Sequence, residues 1–351
     1  MFVWYSIYKG EMKKRKVVVA MSGGVDSSVA AAILKEQGFD VIGVTMNLFS
    51  LSKQYCKDEN LKSCCGWGAI EDAHNVAMAL GIPHYVLNLK KNFSGKVIDD
   101  FCQEYARGRT PNPCIRCNQY IKFESLMKKA KKLEADYLAT GHHARIIYDP
   151  GRNRYFLKKG KDVGKDQSYF LYTLTQDQLS HLLMPIGDFT KDEVRKRAQE
   201  LSLPVAKKAE SQEICFVPDN DYVQFLKSRI PEDFRPGRIV DNEGQVVGKH
   251  DGILRFTIGQ RRGMGIASPH PLYVIDIRSE ENTIVVGPDD QLLKKELLAS
   301  QISIISEDKA EEPLVIKAKI RYKQKETKAL LLPIDSVHVL VKFEKPQRAI
   351  T

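Results

Sequence analysis

The sequence predicts an α/β domain built on a parallel sheet, followed by two smaller β-rich regions, and three observations carry that expectation. Short apolar runs alternate with amphipathic helical patterns from Lys16 to Leu133. A glycine turn, Ser22-Gly-Gly-Val-Asp-Ser27, stands between the first strand and the first helix. Beyond Val217, glycine and proline punctuate short apolar runs, as in small β domains.

Strands are expected at Lys16–Met21, Asp40–Met46, His84–Leu89 and Asp136–Thr140, all rich in Val, Ile, Leu or Tyr. Helical patterns fall between them, at Ser28–Gln37, Ala69–Leu80, Phe93–Ala106 and Tyr120–Leu133. Such alternation implies a parallel sheet covered on both faces. Ligands of these sheets bind beyond the carboxyl ends of the strands. That rule puts Ser22–Ser27, Met46 and Gly141–His142 on one rim. Downstream, Pro236-Gly237, Asn242–Gly244, Gly248, Gly252 and Gly259 break up a small β-rich region. From Thr283 the runs TIVVG, LVIKAKIRY, KALLLP and VHVLVKF suggest a second strand set closing as a small β-barrel. The expected divisions are a tail at 1–14, a first domain at 15–217, a central domain at 218–282 and a barrel at 283–351.

With 43% hydrophobic residues and 28% charge, the chain has the makeup of an ordinary soluble protein. No apolar stretch approaches the ~20 residues a membrane span needs. In the tail the charge follows the apolar part, the reverse of a secretory signal. Seven unevenly spaced cysteines argue against a disulfide framework and for a reducing, cytoplasmic setting. The net charge of +10 favours a polyanionic partner. Lys317, Lys319, Arg321, Lys323 and Lys325 alternate with Ala318, Ile320, Tyr322 and Gln324. In a strand that period places every cation on one face. The face suits a phosphate backbone, and the competing reading is a solvated strand face. Further basic stretches run from Arg152 to Lys165 and through Arg255, Arg261 and Arg262.

The turn at Ser22–Ser27 is built for a polyphosphate. Glycines let the backbone approach a ligand closely. The helix behind them aims N–H groups and its positive end at an anion. Asp26 can hold Mg2+ against phosphate oxygens. A Walker loop would need a following lysine, and none follows here. The pattern resembles instead the PP-loop of ATP pyrophosphatases, which cleave between the α- and β-phosphates.

Cysteines supply the second chemistry. Thr110–Asn118 contains two prolines and is expected as an irregular loop presenting Cys114 and Cys117. Cys215 lies far downstream in Glu210-Ser-Gln-Glu-Ile-Cys-Phe216. Near Arg109 and Arg116 a thiol could be drawn toward thiolate. Three readings stand together: a redox and sulfur-carrying pair, Cys117 and Cys215; an iron–sulfur or zinc site on Cys114, Cys117 and Cys215; or inert buried thiols. Cys102 falls within a predicted helix and is expected to pack as a small hydrophobe.

Six segments follow one another in the order found in the tRNA-specific 2-thiouridylase family, which the chain resembles over residues 15 to 351. They are the PP-loop, Pro111-Asn-Pro-x-x-x-Cys-Asn118, Ala139-Thr-Gly-His142, Lys165-Asp-Gln-Ser-Tyr-Phe-Leu171, Ser211-Gln-Glu-Ile-Cys-Phe216 and His250-Asp-Gly252 continuing through Phe256–Ile266. The resemblance implies an adenine nucleotide alpha hydrolase-like domain that adenylates the C2 oxygen of uridine 34 in the anticodon and replaces that oxygen with sulfur. It implies ATP held by Ala20, Met21, Ser22, Gly23, Gly24, Val25, Asp26, Ser27, Met46 and Gly141. Cys215 would carry a persulfide and Cys117 would be the partner nucleophile, ending in a Cys117–Cys215 disulfide. Asn112, Pro113 and Cys114 would meet the flipped base. His142, Lys165, Asp166, Gln167, Arg321 and Tyr322 would contact the tRNA. A sulfur donor, such as a cysteine desulfurase or a sulfur-relay protein, is a further implied partner.

Two departures stand out. Some family members carry an aspartate, proposed as a proton donor or acceptor, where this chain has Cys114. A thiol cannot match a carboxylate in that role at its usual pKa. Either the acid/base group lies elsewhere or Cys114 belongs to a metal site. Family chains also usually run on past Glu344-Lys-Pro-Gln-Arg348, so an incomplete last barrel with an open edge is expected here. Competing functions are a PP-loop amidating ligase, which needs no cysteine pair, and a cluster-bearing RNA-binding protein without turnover.

Overall fold

The computed structural model describes residues 14–49, 67–210, 214–307 and 311–350. The expected tail before Lys14, the thiols Cys56, Cys64 and Cys65, and Ser211–Glu213 lie outside the described residues. The chain forms two compact units. One is drawn from the chain up to Lys91 together with Asn118–Cys215, the other from Asn92–Cys117 together with Phe216 onward.

In the first unit, β1 (Lys16–Ala20), α1 (Val25–Glu36), β2 (Asp40–Asn47), α2 (Trp67–Leu80), β3 (His84–Asn88) and β4 (Tyr137–Thr140) are joined by a hairpin, β5 (Ala144–Asp149) with β6 (Arg154–Lys159), and by the short β7 (Leu182–Leu183). The sheet order is β3-β2-β1-β4-β7, parallel throughout. Val17, Val18 and Val19 of β1 are wholly buried. A continuous β-branched run suits a strand covered on both faces, where alternation would leave polar residues stranded. The expected strands are all present, within two residues at each end. Strand order reverses between β1 and β4, and at such a switch point ligands of parallel sheets bind beyond the carboxyl ends of the strands.

Val17, Val19, Val29, Ile33 and Val76 share their core with Val194 and Ala198 of the helix Lys191–Glu200. A capping box starts that helix: Thr190 accepts from the Glu193 backbone and Glu193 accepts from the Thr190 backbone. Apolar packing behind and a sharp cap in front place Lys191 at the helix start.

The second unit has an aromatic core in which Phe101 meets Phe216 edge-on at 5.3 Å and Phe93 meets Phe216 at 5.6 Å. Its first sheet contains β8 (Gly237–Val240), β9 (Val246–His250), β10 (Tyr273–Arg278) and β11 (Thr283–Gly287), in the order β10-β11-β8-β9. Its second contains β12 (Leu293–Ser300), β13 (Leu314–Ala318), β14 (Thr327–Pro333) and β15 (His338–Arg348), in the order β12-β15-β14-β13.

Several sequence expectations need correction. The TIVVG run is β11, fully buried between β10 and β8, so it belongs to the middle sheet rather than to the final strand set. The basic run is not one strand: β13 ends at Ala318, and Lys319 turns back to the Tyr322 carbonyl. The expected loop Thr110–Asn118 contains a helix start at Pro113, with Asn112 as its cap. Proline is tolerated at a first helical position because its missing N–H would have had no partner there. Helix α1 likewise begins at Val25, so Asp26 and Ser27 sit in its first turn. The last strand, β15, is interior to its sheet, and the edges fall to β12 and β13. A register shift between Lys294 and Glu296 and the exposed Lys294 and Lys295 blunt the β12 edge.

Candidate active site

Gly23 adopts φ +67°, and a Cβ there would stand 2.3 Å from the Ala69 carbonyl oxygen. Only glycine fits this turn. Gly24 is extended at the start of α1, and no side chain caps the helix. The serines serve the loop itself: Ser27 Oγ accepts from the Ser22 backbone N–H at 3.1 Å, and Ser28 Oγ donates to the Gly24 carbonyl at 2.9 Å. With the first-turn N–H groups uncapped by side chains, the turn is organised to receive an anion.

Gly141, just past β4, packs against the same turn. A Cβ on it would lie 2.6 Å from both the Asp26 carbonyl carbon and the Ser27 nitrogen. Backbone cannot yield there, so Gly141→Ala is expected to cost about 2 kcal/mol or more and to weaken nucleotide binding. Thermal melting with and without ATP checks this, and an unchanged melting temperature would refute it. Met46, near the end of β2, is largely buried.

A charged cluster surrounds Asp26. Both its oxygens lie 2.7 Å from Lys191 Nζ, and one lies 3.4 Å from His143 Nε2. Burial works against its charge, yet the His143 hydrogen bond and the Lys191 charge outweigh it and hold the carboxyl below the usual carboxylate range. Lys191 also lies 3.3 Å from Glu210, which accepts from Lys165 Nζ at 2.7 Å. Glu210 is lowered in the same way: burial opposes, and Lys165 with Lys191 prevails. Lys208 Nζ donates to the Gly23 carbonyl at 2.9 Å and to the Asp72 carboxylate.

The remaining expected residues of this unit are tied into its framework. His142 is buried, with Nδ1 2.7 Å from Thr140 Oγ1 and Nε2 facing Lys122. Burial first, then the Lys122 charge, keeps the ring neutral. The buried Asp166 accepts from the Gly160 and Ser168 N–H groups, both at 3.1 Å, and so shapes its own loop. Gln167 exchanges two hydrogen bonds with the His143 backbone, through Oε1 and through its own N–H. Cys215 is half-buried.

In the second unit, Asn112 Oδ1 accepts from the Cys114 backbone N–H at 3.1 Å, Pro113 is buried, Cys114 is exposed and Cys117 is half-buried. Cys102 is 6% exposed, and burial pushes its thiol up to about 11, so it is the packed hydrophobe expected. Arg321 donates to the carbonyls of Ile258 and Ala349 at 3.1 and 3.0 Å. Tyr322 is half-buried, and the Lys319 ammonium lies 5.5 Å from its ring centre. Among the described residues, no three His, Cys, Asp or Glu side chains gather as a metal site requires. Nor is any described helix long and apolar enough to cross a membrane.

The family described as the tRNA methyl transferase HUP domain matches residues 15–219. Its companion descriptions, a PRC-barrel domain and an aminomethyltransferase beta-barrel domain, match 223–288 and 294–351. A tRNA-specific 2-thiouridylase MnmA of Acetivibrio thermocellus is 52% identical over 97% of this chain and 94% of its own length. An MnmA of Caldanaerobacter subterraneus subsp. tengcongensis is 53% identical over 96% and 92%, and one of Clostridium acetobutylicum 51% over 96% and 94%. The chain belongs to the tRNA-specific 2-thiouridylase family. The first description speaks of a methyl transferase, but relatives that cover both chains almost end to end decide the matter.

Within this thiouridylase fold the structure assembles Ala20–Ser27 with Gly141, as the sequence led one to expect. It also brings in His143, which the sequence left open as structural or functional, and three residues that sequence reasoning missed: Lys191, Lys208 and Glu210. Lys191 is 165 positions from Asp26. In the sequence it reads only as part of the capping segment Thr190–Glu193, so no local signal marks it.

Proposed function

We propose that the chain carries out ATP-dependent 2-thiolation of uridine 34 in tRNA. The near full-length match to 2-thiouridylases at about half identity, joined to a PP-loop without a Walker lysine, carries this reading. An amide-like carbonyl oxygen is a poor leaving group and AMP a good one, so ATP serves to activate. The uridine C2 oxygen attacks the α-phosphorus and pyrophosphate departs with the electron pair of the broken bond. The terminal sulfur of a Cys215 persulfide then attacks C2 and AMP leaves. Cys117 thiolate attacks the Cys215 sulfur, which frees the thiolated base and leaves a Cys117–Cys215 disulfide for a reductant to reopen.

Asp26 is suited to magnesium, since its carboxylate is charged and its side chain is 31% exposed. One carboxylate with phosphate oxygens and water is an ordinary magnesium set. When bound, the ion neutralises the phosphate oxygens. The base must leave its stack before its C2 edge is reachable, and an anticodon loop makes that inexpensive. Asn112, Pro113 and Cys114 are proposed to meet it, with Lys165, Gln167, Arg321 and Tyr322 disposed along the tRNA and the buried His142 and Asp166 shaping the backbone behind them. The persulfide sulfur comes from a donor protein of the desulfurase or relay class, and the setting is cytoplasmic.

Nucleoside mass spectrometry of tRNA, from cells with and without the gene and from reactions with ATP and a sulfur source, tests the reading. Loss of 2-thiouridine without the gene is the expected result. Unchanged 2-thiouridine and no pyrophosphate release in vitro would end it. Tight binding of tRNA should also be salt-dependent. Lys317, Lys323 and Lys325 are exposed, whereas Lys319 and Arg321 bind their own chain. Replacing those three with Gln is expected to lower the log–log slope of affinity against salt by about one per lost phosphate contact. An unchanged slope would remove this surface from the interface.

A further inference from the structure

We propose that Lys191 is a catalytic residue of the nucleotide step: its ammonium gives up Asp26 when magnesium and triphosphate arrive, and neutralises the departing pyrophosphate. The inference rests on the adenylation reading above and names the cation that the loop itself lacks.

Lys191 is only 7% exposed, and lysines are almost never so buried unless paired. Both of its ends are held. The backbone N–H donates to Asp162 at 3.0 Å, and the ammonium reaches both Asp26 oxygens. Its place in the helix is electrostatically poor for stability. It occupies the first position of Lys191–Glu200, where the helix dipole favours anions, and Asp192 and Glu193 already serve that end. A cation kept there against the dipole answers to Asp26 and to whatever joins Asp26, rather than to its own helix.

Cleavage between the α- and β-phosphates leaves added negative charge on pyrophosphate, and a preorganised cation in a poorly hydrated site stabilises such charge strongly. Asp26 and Lys191 form a neutral resting pair. Once Asp26 turns to magnesium, the ammonium has the phosphates within reach while Glu210, 3.3 Å away, keeps it aimed. Glu210 also holds Lys165, so the same carboxylate ties the nucleotide site to the Lys165–Gln167 segment. Lys208, on the Gly23 carbonyl, is a further cation at the turn.

The test is single-turnover pyrophosphate release with ATP, magnesium and tRNA, together with ATP affinity and thermal melting, for Lys191→Gln and Lys191→Arg. Glutamine offers Asp26 a donor on a side chain one atom shorter and removes the charge. Its release rate is expected to fall about 100-fold or more, with a far smaller rise in the KM for ATP, while the melting temperature holds. Arginine keeps a positive charge and should retain activity within about tenfold, since the proposal asks only charge of this position. A glutamine variant within about threefold of the unaltered chain would overturn the proposal. Should that variant fail to fold, arginine decides: a folded arginine variant slowed beyond about tenfold also overturns it. If the unaltered chain releases no pyrophosphate with tRNA, the adenylation reading falls and takes this proposal with it.

Discussion

Asp26→Ala is expected to lower pyrophosphate release by about 100-fold or more while tRNA binding stays within about twofold. The carboxylate lies in the first turn of α1, beside the glycine turn, and is the acidic group of that turn. The fold should survive its loss. Lys191, which pairs with it at 2.7 Å, retains Glu210 at 3.3 Å and is not left as an uncompensated buried charge. The decisive measurements are pyrophosphate release and a filter-binding titration with labelled tRNA. Wild-type release by the variant would show that Asp26 is only a structural counter-ion. Loss of tRNA binding in parallel would show that the turn supports the whole unit and not the nucleotide alone.

Cys215→Ser is expected to abolish 2-thiouridine formation, by at least about 1000-fold, while pyrophosphate release persists in the first turnover. Serine matches the thiol in shape but cannot carry a persulfide. Activation needs no sulfur and should proceed. Cys117→Ser should behave differently: the persulfide still forms and can attack, so the block falls at resolution. It should leave a protein–tRNA adduct that a small thiol releases. Denaturing gels of labelled tRNA and mass spectrometry of the digest separate the two cases. A Cys215→Ser enzyme that still thiolates would remove the persulfide route. Undiminished pyrophosphate release over many turnovers in both variants, with no 2-thiouridine formed even by the unaltered chain, would favour the amidating-ligase chemistry, which has no use for either sulfur.

The loop was legible because its chemistry is local: a strand, two glycines and a helix start lie within consecutive residues, and Gly23 can adopt φ +67° only for want of a Cβ. The parallel sheet was legible for a similar reason, since Val17–Val19 leave no polar face to expose. Where reading failed, a tertiary or positional detail had intervened. Prolines in Thr110–Asn118 suggested a loop, yet Pro113 stands where a helix can begin. The alternating cations of 317–325 suggested a strand, but Lys319 and Arg321 find carbonyls on their own chain and end the regular pattern. The run TIVVG looked like the opening of the last domain, and partners from β8 and β10 claimed it for the middle sheet.

Sequence alone determined the parallel α/β core and the glycine turn that follows its first strand, because backbone freedom and strand burial belong to residue types. Only the tertiary structure decided what surrounds Asp26. The pairing of Lys191, His143 and Glu210 about that carboxylate arises from a capped helix packed on α1, and partners so far apart along the chain leave no periodic or local trace for a reader of the sequence to find.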